Sequence, residues 1–462
     1  MAQVKRVLIV GGGAAGMSVA SRAKRLNKNL SVTVVEASRW ISFAFCGLPY
    51  YVGCVVRRLD DLITVTPEEA RGKRGINVLM ETRVTGIDPS SRTAVLEDRE
   101  GGRETVEWDI LVLATGARSK APRIWPEIRD ARNAFYIKHL DTGEEIRSYA
   151  TRLKPGSRAV VVGSGYVGLE MVENLAELGM KVTLVEALPQ LAPRALDPDL
   201  AQALEEYIKS RKIEVLTNTP VKGFRVENGL VKSVETDKGD IPADMVVIGV
   251  GIEPNTDLAR QAGAELGPTG AVKVDERLRT TAENVYAVGD VAETVNLVTG
   301  KPAWMPFAQV ANKMGYVAGT VIGGGDAVFP GAVGTSTFKV FDMVAARTGL
   351  SKAEAEKEGF NPIEVSFEGG TRAHYIPGRR TIRMKIVADQ DTGRLLGAQA
   401  LGESESVLWR INTIAALLTA KATVWDLFYT DVGYAPPLNP AWDPLIVGAR
   451  LLMRSLGEVP RK

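Results

Sequence analysis

This 462-residue sequence predicts an α/β fold of two doubly wound parallel-sheet units followed by a smaller α+β region. Three observations carry that prediction. A strand, a glycine-rich loop, a helix and a second strand follow one another at residues 6–36, and the same order returns at 159–186. A buried strand closing on small residues accompanies each copy, at 109–117 and 245–251. Beyond residue 332 the glycine loops stop, and strands such as 382–387 alternate with helices such as 410–418, the pattern of an α+β layer.

Composition narrows what such a chain does. With 45% hydrophobic and 24% charged residues it is an ordinary globular sequence, long enough for several cores. A net charge of +2, without an arginine-rich run, gives no reason for a nucleic-acid partner. No apolar stretch approaches a membrane-spanning length, and the run before Gly11 is too short for a signal peptide, so no membrane partner and a cytoplasmic location are expected. Two cysteines, Cys46 and Cys54, and two histidines, His139 and His374, match no ligand spacing, and no metal site is expected.

In the first unit, the strand Val7-Leu8-Ile9-Val10 runs into Gly11-Gly12-Gly13-Ala14-Ala15-Gly16, then a helix to about Asn27 and a strand ending at Glu36. Each residue of this fingerprint has a task. Gly11 permits the tight turn, Gly13 lets backbone approach a pyrophosphate, Gly16 lets helix and strand pack closely, and Glu36 accepts from ribose hydroxyls. The unit is Rossmann-like. In the second, Ala159-Val160-Val161-Val162 leads into Gly163-Ser164-Gly165-Tyr166-Val167-Gly168, a helix over 169–178 and a strand ending at Glu186. Two such units ask for two dinucleotides, which points to electron transfer between a flavin and a nicotinamide. Glu186 repels a 2′-phosphate, so NADH is expected over NADPH, with NADPH possible.

The shorter signals follow. The turn holding Thr115 and Gly116 is repeated in form by the one ending at Gly251, and 284–290 reads as a strand closing on Gly289 and Asp290, a carboxylate able to accept from a polyol hydroxyl. Before them, at 42–51, stands Ser-Phe-Ala-Phe-Cys-Gly-Leu-Pro-Tyr-Tyr. Pro49 suits a first helical turn, which puts Cys46 at a helix start, where dipole and unsatisfied N–H groups favour the thiolate. Cys54 is expected to be a packed small hydrophobe, with a resolving thiol as the other reading.

Together these segments resemble the flavoprotein disulfide reductases, which order an FAD fingerprint, an Ala-Thr-Gly turn, an NAD(P) fingerprint and a second FAD segment ending Gly-Asp. The resemblance covers the whole chain. It implies a glutathione-reductase-like architecture: two Rossmann-like dinucleotide-binding domains plus a C-terminal α+β dimerisation domain. The expected boundaries are 1–118 with 251–331 for FAD, 119–250 for NAD(P)H and 332–462 for dimerisation. It also implies that Ala308, in Pro306-Phe307-Ala308, opens a flavin-domain helix, that Tyr166 swings aside to admit NADH, and that Glu170 projects toward the flavin edge.

Glutathione and lipoamide reductases carry Cys-x-x-x-x-Cys, but position 51 is Tyr51. The stretch is instead similar to the single-cysteine branch of coenzyme A disulfide reductases, persulfide and polysulfide reductases, NADH oxidases and NADH peroxidases. That similarity implies Cys46 as redox centre and a homodimer, with Tyr434, in Tyr434-Ala435-Pro436-Pro437, reaching the partner's cysteine and Tyr375 assisting it. Arg22, Arg25 and Arg74 match positions that hold coenzyme A phosphates, and Ser42, Asn312 and Trp442 match substrate-side positions. Phe45 stands where coenzyme A disulfide reductases commonly have asparagine, and Ala14 replaces the peroxidase histidine. The implied activity is reduction of coenzyme A disulfide, persulfide or polysulfide. An NADH oxidase and a non-catalytic NADH-sensing flavoprotein are the alternatives.

Overall fold

The computed structural model describes residues 4–137 and 139–456. Its first sheet has five parallel strands in the order Val285–Ala287, Ile110–Leu113, Arg6–Val10, Ser31–Val35 and Asn77–Leu79. Ile110–Leu113 is buried at every residue, as a central strand covered on both faces must be. Helix Ala14–Leu26 packs along helix Ala308–Ile322. Their close approach depends on absent side chains: a Cβ on Gly315 would meet the Ala15 carbonyl oxygen at 2.5 Å, and one on Gly319 the Val19 oxygen at 2.7 Å.

The second sheet repeats the design in the order Glu214–Leu216, Lys181–Val185, Arg158–Val162, Met245–Ile248 and Ala134–Phe135. Its helix begins at Tyr166, three residues before the predicted start, and runs Tyr166–Glu177, because the glycine loop itself ends at Gly165. Each sheet is preceded at its returning strand by an antiparallel three-stranded meander: Thr82–Asp88, Thr93–Asp98 and Arg103–Glu107 in the first, Val221–Glu227, Leu230–Thr236 and Gly239–Pro242 in the second. The internal repeat seen in sequence is thus a repeat of whole substructures.

Two short strands, Ala117–Ser119 and Ile252–Pro254, pair antiparallel and carry the chain from one sheet to the other and back. Asn255 locks this crossing. Its amide donates to the Thr115 carbonyl at 2.8 Å, and the Thr115 hydroxyl donates to the Asn255 carbonyl at 2.8 Å.

The C-terminal region is an antiparallel sheet ordered Ser336–Val340, Met343–Gly349, Leu395–Gly402, Thr381–Asp389 and Pro362–Gly370. Helices Ser406–Thr419 and Pro444–Leu456 pack on it. Strand Ser336–Val340 also lies against helix Tyr166–Glu177, where Glu173 accepts from Lys339 Nζ at 3.1 Å and from the Phe341 amide at 2.9 Å. No helix among the described residues is long and apolar enough to cross a membrane.

Candidate active site

The glycine loops have the shape their fingerprints require. Gly11 adopts φ +107°, and a Cβ there would strike the Ala114 carbonyl oxygen at 2.3 Å; one on Gly16 would strike the Gly11 oxygen at 1.9 Å. Gly163 and Gly168 repeat this, at 2.6 Å from the Gly249 oxygen and 2.0 Å from the Gly163 oxygen. Nothing lies within 4 Å of where a Cβ on Gly13 or Gly165 would be, so both N-cap positions face open space. Among the described residues no side chain caps the helices that start at Ala14, Tyr166 or Ala308. Their first N–H groups therefore remain available to an anionic group. This geometry fits one dinucleotide pyrophosphate at each loop.

The acids closing each unit behave alike. Glu36 accepts from the Gly12 amide and the Ser38 amide, both at 2.8 Å; Glu186 accepts from the Ser164 amide and the Leu188 amide, both at 2.9 Å. Glu186 is additionally held by the Ser164 hydroxyl at 2.6 Å and is buried. Gly289 and Asp290 form a 3-10 turn, Gly289–Val291, wedged against helices 14–26 and 308–322: a Cβ on Gly289 would lie 2.9 Å from Ala15 and 3.5 Å from Ala311. Gly116 and Gly251, at φ +65° and +101°, bracket the crossing strands.

The cysteine segment is bound to the first glycine loop directly. The Ser42 amide donates to the Gly12 carbonyl at 2.8 Å, while the Ser42 hydroxyl shares a 2.7 Å hydrogen bond with Thr64. Ser42 sits at φ +47°, a conformation uncommon for a residue other than glycine. Half-buried Phe45, exposed Cys46 and Gly47 form a 3-10 turn that runs straight into helix Leu48–Val52, with Pro49 in its first turn. At position 51, Tyr51 is buried with the Arg147 guanidinium 4.4 Å over its ring.

Helix Leu48–Val52 packs on helix Tyr166–Glu177. The contact is close because residue 53 is glycine: a Cβ there would overlap Asn174 Oδ1 at 1.9 Å. Asn174 in turn donates to the Glu170 carbonyl at 2.7 Å. On the same helix Glu170 meets Tyr50, whose hydroxyl donates to its carboxylate. Burial, helped by the nearby Glu173 charge and partly offset by the Tyr50 bond, pushes the Glu170 carboxyl up to about 7. Burial, with the charges of Glu170, Glu173 and Cys46, pushes the Tyr50 phenol up as well. A buried carboxyl raised toward neutrality beside the segment that carries Cys46 is suited to proton handling. Tyr166 starts the same helix, and its hydroxyl hydrogen-bonds Ser336 at 2.7 Å.

The arginines lie on the outer side of the first unit. Arg22 donates to Thr320 at 2.9 Å and stacks 4.3 Å from the Tyr316 ring; Arg74 donates to Ser21 at 2.9 Å and pairs with Glu69 at 2.9 Å; Arg25 is exposed. Arg22 is thus turned toward helix Ala308–Ile322 and Arg74 toward the neighbouring Ser21, and exposed Asn312 lies on helix Ala308–Ile322, its carbonyl accepting from Ser18 at 3.0 Å. At the other end of the chain, Tyr375 and Tyr434 come together with hydroxyls 3.3 Å apart, though 60% and 51% exposed. The hydrogen bond with Tyr375 pushes the Tyr434 phenol up. Trp442, 56% exposed, lies nearby in sequence beneath Arg450, at 5.4 Å.

The pyridine nucleotide-disulphide oxidoreductase family matches residues 5–315, and its dimerisation domain matches 335–445. The chain belongs to this family. It is 42% identical, over 97% of its length and 98% of the relative's, to an NAD(P)H coenzyme A polysulfide/persulfide reductase of Pyrococcus horikoshii. An NADH oxidase of Methanocaldococcus jannaschii is 32% identical over 98% of this chain and 100% of its own. Among solved structures, an NAD-dependent persulfide reductase from A. fulgidus superposes with a TM-score of 0.93 at 39% identity, covering 97% of this chain and 83% of that one.

One expectation for this oxidoreductase is corrected. Cys54 is exposed, not packed, because helix Leu48–Val52 stops short and the chain turns outward, with Cys54 at φ +64° and its sulfur 3.8 Å from the Val52 carbonyl. The two cysteines are not joined by a disulfide. Sequence reasoning also gave no role to Tyr50. Its signal was the spacing of four from Cys46, which places both on one side of a helical segment, but its partner Glu170 lies in another unit. Among the described residues, no group of three His, Cys, Asp or Glu side chains stands where it could hold a metal.

Proposed function

We propose that this chain is an FAD-dependent NAD(P)H oxidoreductase that reduces coenzyme A disulfide, or a related persulfide or polysulfide, through Cys46, as a cytoplasmic homodimer. One observation carries the reading: Cys46 is exposed four residues beyond Ser42, whose amide donates to Gly12 of the flavin-type glycine loop, while position 51 holds a buried tyrosine in place of a second thiol. The similarity to a coenzyme A polysulfide/persulfide reductase supports the substrate class. On this reading residues 1–118 with 251–331 hold FAD, 119–250 hold the nicotinamide, and 332–462 pair two subunits.

Gly11, Gly13, Gly16, Glu36, Thr115, Gly116, Asp290 and Ala308 would hold FAD, Gly163, Gly165, Gly168 and Glu186 the nicotinamide dinucleotide, NADH before NADPH, and Gly251 stands at the crossing between the two units. Bound FAD supplies the relay of two electrons from the nicotinamide to sulfur. The Cys46 thiolate attacks one sulfur of the substrate, forming a Cys46–substrate disulfide and releasing the other sulfur as a thiolate. Tyr434 of the partner subunit, with Tyr375 of the partner subunit beside it, gives that thiolate its proton. Arg22, Arg25 and Arg74 meet the phosphates of a coenzyme A substrate, while Ser42, Phe45, Asn312 and Trp442 line its path. Overall, one NADH and one proton convert a disulfide into two thiols.

The test is anaerobic NADH oxidation with coenzyme A disulfide, coenzyme A persulfide and polysulfide in parallel, for the native enzyme and Cys46→Ser. Loss of all sulfur turnover in the variant, with FAD still bound, is expected; full retention refutes the role of Cys46. The relative named as an NADH oxidase favours one second reading, with oxygen as acceptor and Cys46 cycling through a sulfenic acid. Oxygen uptake faster than every sulfur turnover would select it.

A further inference from the structure

Tyr434 stands between helices Val424–Phe428 and Pro444–Leu456 in a stretch without helix or strand. What holds it lies beneath. Arg410, on helix Ser406–Thr419, is 0% exposed. Its guanidinium donates to Asp443 at 2.7 Å and 3.1 Å, to the Ser406 carbonyl at 3.1 Å and to Asn439 Oδ1 at 3.1 Å. Because arginine can only donate, it fixes which way the Asn439 amide points. The oxygen faces Arg410, and the nitrogen is left to donate to the Gly433 carbonyl at 2.9 Å, on the peptide bond that joins Gly433 to Tyr434.

Further bonds close the loop around this point. The amides of Leu438 and Asn439 both donate to the Ala435 carbonyl at 2.9 Å, and Ala373 donates to the Pro436 carbonyl at 3.0 Å. Ala373 is two residues from Tyr375, so both tyrosine loops are fastened to one another above the same buried arginine. Asp443 also receives the Leu445 amide at 2.8 Å at the start of the last helix, so the ion pair is anchored on two helices. A buried ion pair is a poor way to gain stability over packed apolar side chains, whereas a fixed donor under a reactive side chain is something apolar packing does not provide.

We propose that Asn439, oriented by Arg410, is the positioning residue of Tyr434, setting where its hydroxyl stands toward the substrate sulfur. This rests on the role given to Tyr434 above. Asn439→Asp keeps an oxygen for Arg410 and loses the donor to Gly433; Asn439→Ala loses the donor without adding charge beside Asp443. Both are compared with Tyr434→Phe and the double variants in the FAD-loaded dimer, with NADH and coenzyme A disulfide. The expected result is a loss of about tenfold in kcat, unchanged KM for NADH, an unchanged rate of flavin bleaching by NADH, and no further loss when combined with Tyr434→Phe. Native kcat in both Asn439 variants, or losses that multiply with Tyr434→Phe, overturns the proposal. Amide hydrogen exchange at Ala373 and Leu438, whose N–H groups donate to the Pro436 and Ala435 carbonyls, reads the tether without turnover, and is expected to quicken about tenfold in both variants. Unchanged exchange also overturns the proposal. If Tyr434→Phe alone keeps native kcat while exchange quickens, the tether stands and the proton-donor role of Tyr434 falls.

Discussion

Replacing Glu170 by glutamine isolates the energetic consequence of placing a carboxyl between the two dinucleotide units. Its ordinary value of 4.5 is raised to about 7 in the folded protein, chiefly by burial, then by the Glu173 charge, with the Tyr50 hydroxyl working the other way. Between those values the folded chain holds a proton that the unfolded chain has lost. Stability contributed by the neutral carboxyl is therefore complete below 4.5 and disappears as pH rises through about 7. At 1.36 kcal/mol per unit, ionising this group above 7 costs the fold about 3 kcal/mol. Glutamine keeps a partner for Tyr50 and carries no charge. Urea unfolding of the FAD-loaded protein should then show Glu170→Gln gaining about 3 kcal/mol more over the native chain at about pH 8.5 than at about pH 4.5. An equal difference at both pH values, within about 1 kcal/mol, would refute the argument that burial holds this carboxyl near neutrality.

Three further outcomes follow from the geometry. Gly16→Ala puts a Cβ 1.9 Å from the Gly11 oxygen, so purified protein should lose FAD, read as the ratio of flavin to protein absorbance; full occupancy would contradict the loop's role. Arg22→Ala combined with Arg74→Ala should raise KM for coenzyme A substrates about tenfold or more while leaving polysulfide reduction near native, since charge-assisted bonds of about 1.5–3 kcal/mol each would be lost only with phosphates. Asp443→Leu leaves the fully buried Arg410 without its counter-charge, at a cost of about 3–5 kcal/mol; urea unfolding measures it, and a change below about 1 kcal/mol would contradict that pairing.

What was legible in the sequence is what local geometry dictates. Gly11, Gly16, Gly163 and Gly168 each sit where a Cβ would meet backbone, and such positions announce themselves in a short window because only glycine fits them. The Cys46 turn was legible for a similar reason, since Pro49 restricts the first helical turn that follows it. Helix starts were less so: Tyr166 reads as the end of a loop, yet its φ and ψ already belong to the helix, since Gly165 is the cap.

The Tyr50–Glu170 pair was not legible, because the two residues are joined by no local pattern. Their meeting depends on one missing side chain at Gly53, which lets helix Leu48–Val52 settle against Asn174 on the helix that carries Glu170. Arg410 was hidden in the same way. An arginine on an amphipathic helix ordinarily reaches solvent, and only a carboxylate 33 positions along the chain, at Asp443, makes its burial possible. On the proposed reading the reactive thiol comes from a short sequence motif, whereas the Tyr50–Glu170 pair beside it and the loop that carries Tyr434 are held by contacts between distant segments. Substitutions at Gly53, Asn174 or Asn439 should accordingly alter turnover and its pH dependence while leaving dinucleotide binding intact, the opposite of substitutions in the glycine loops.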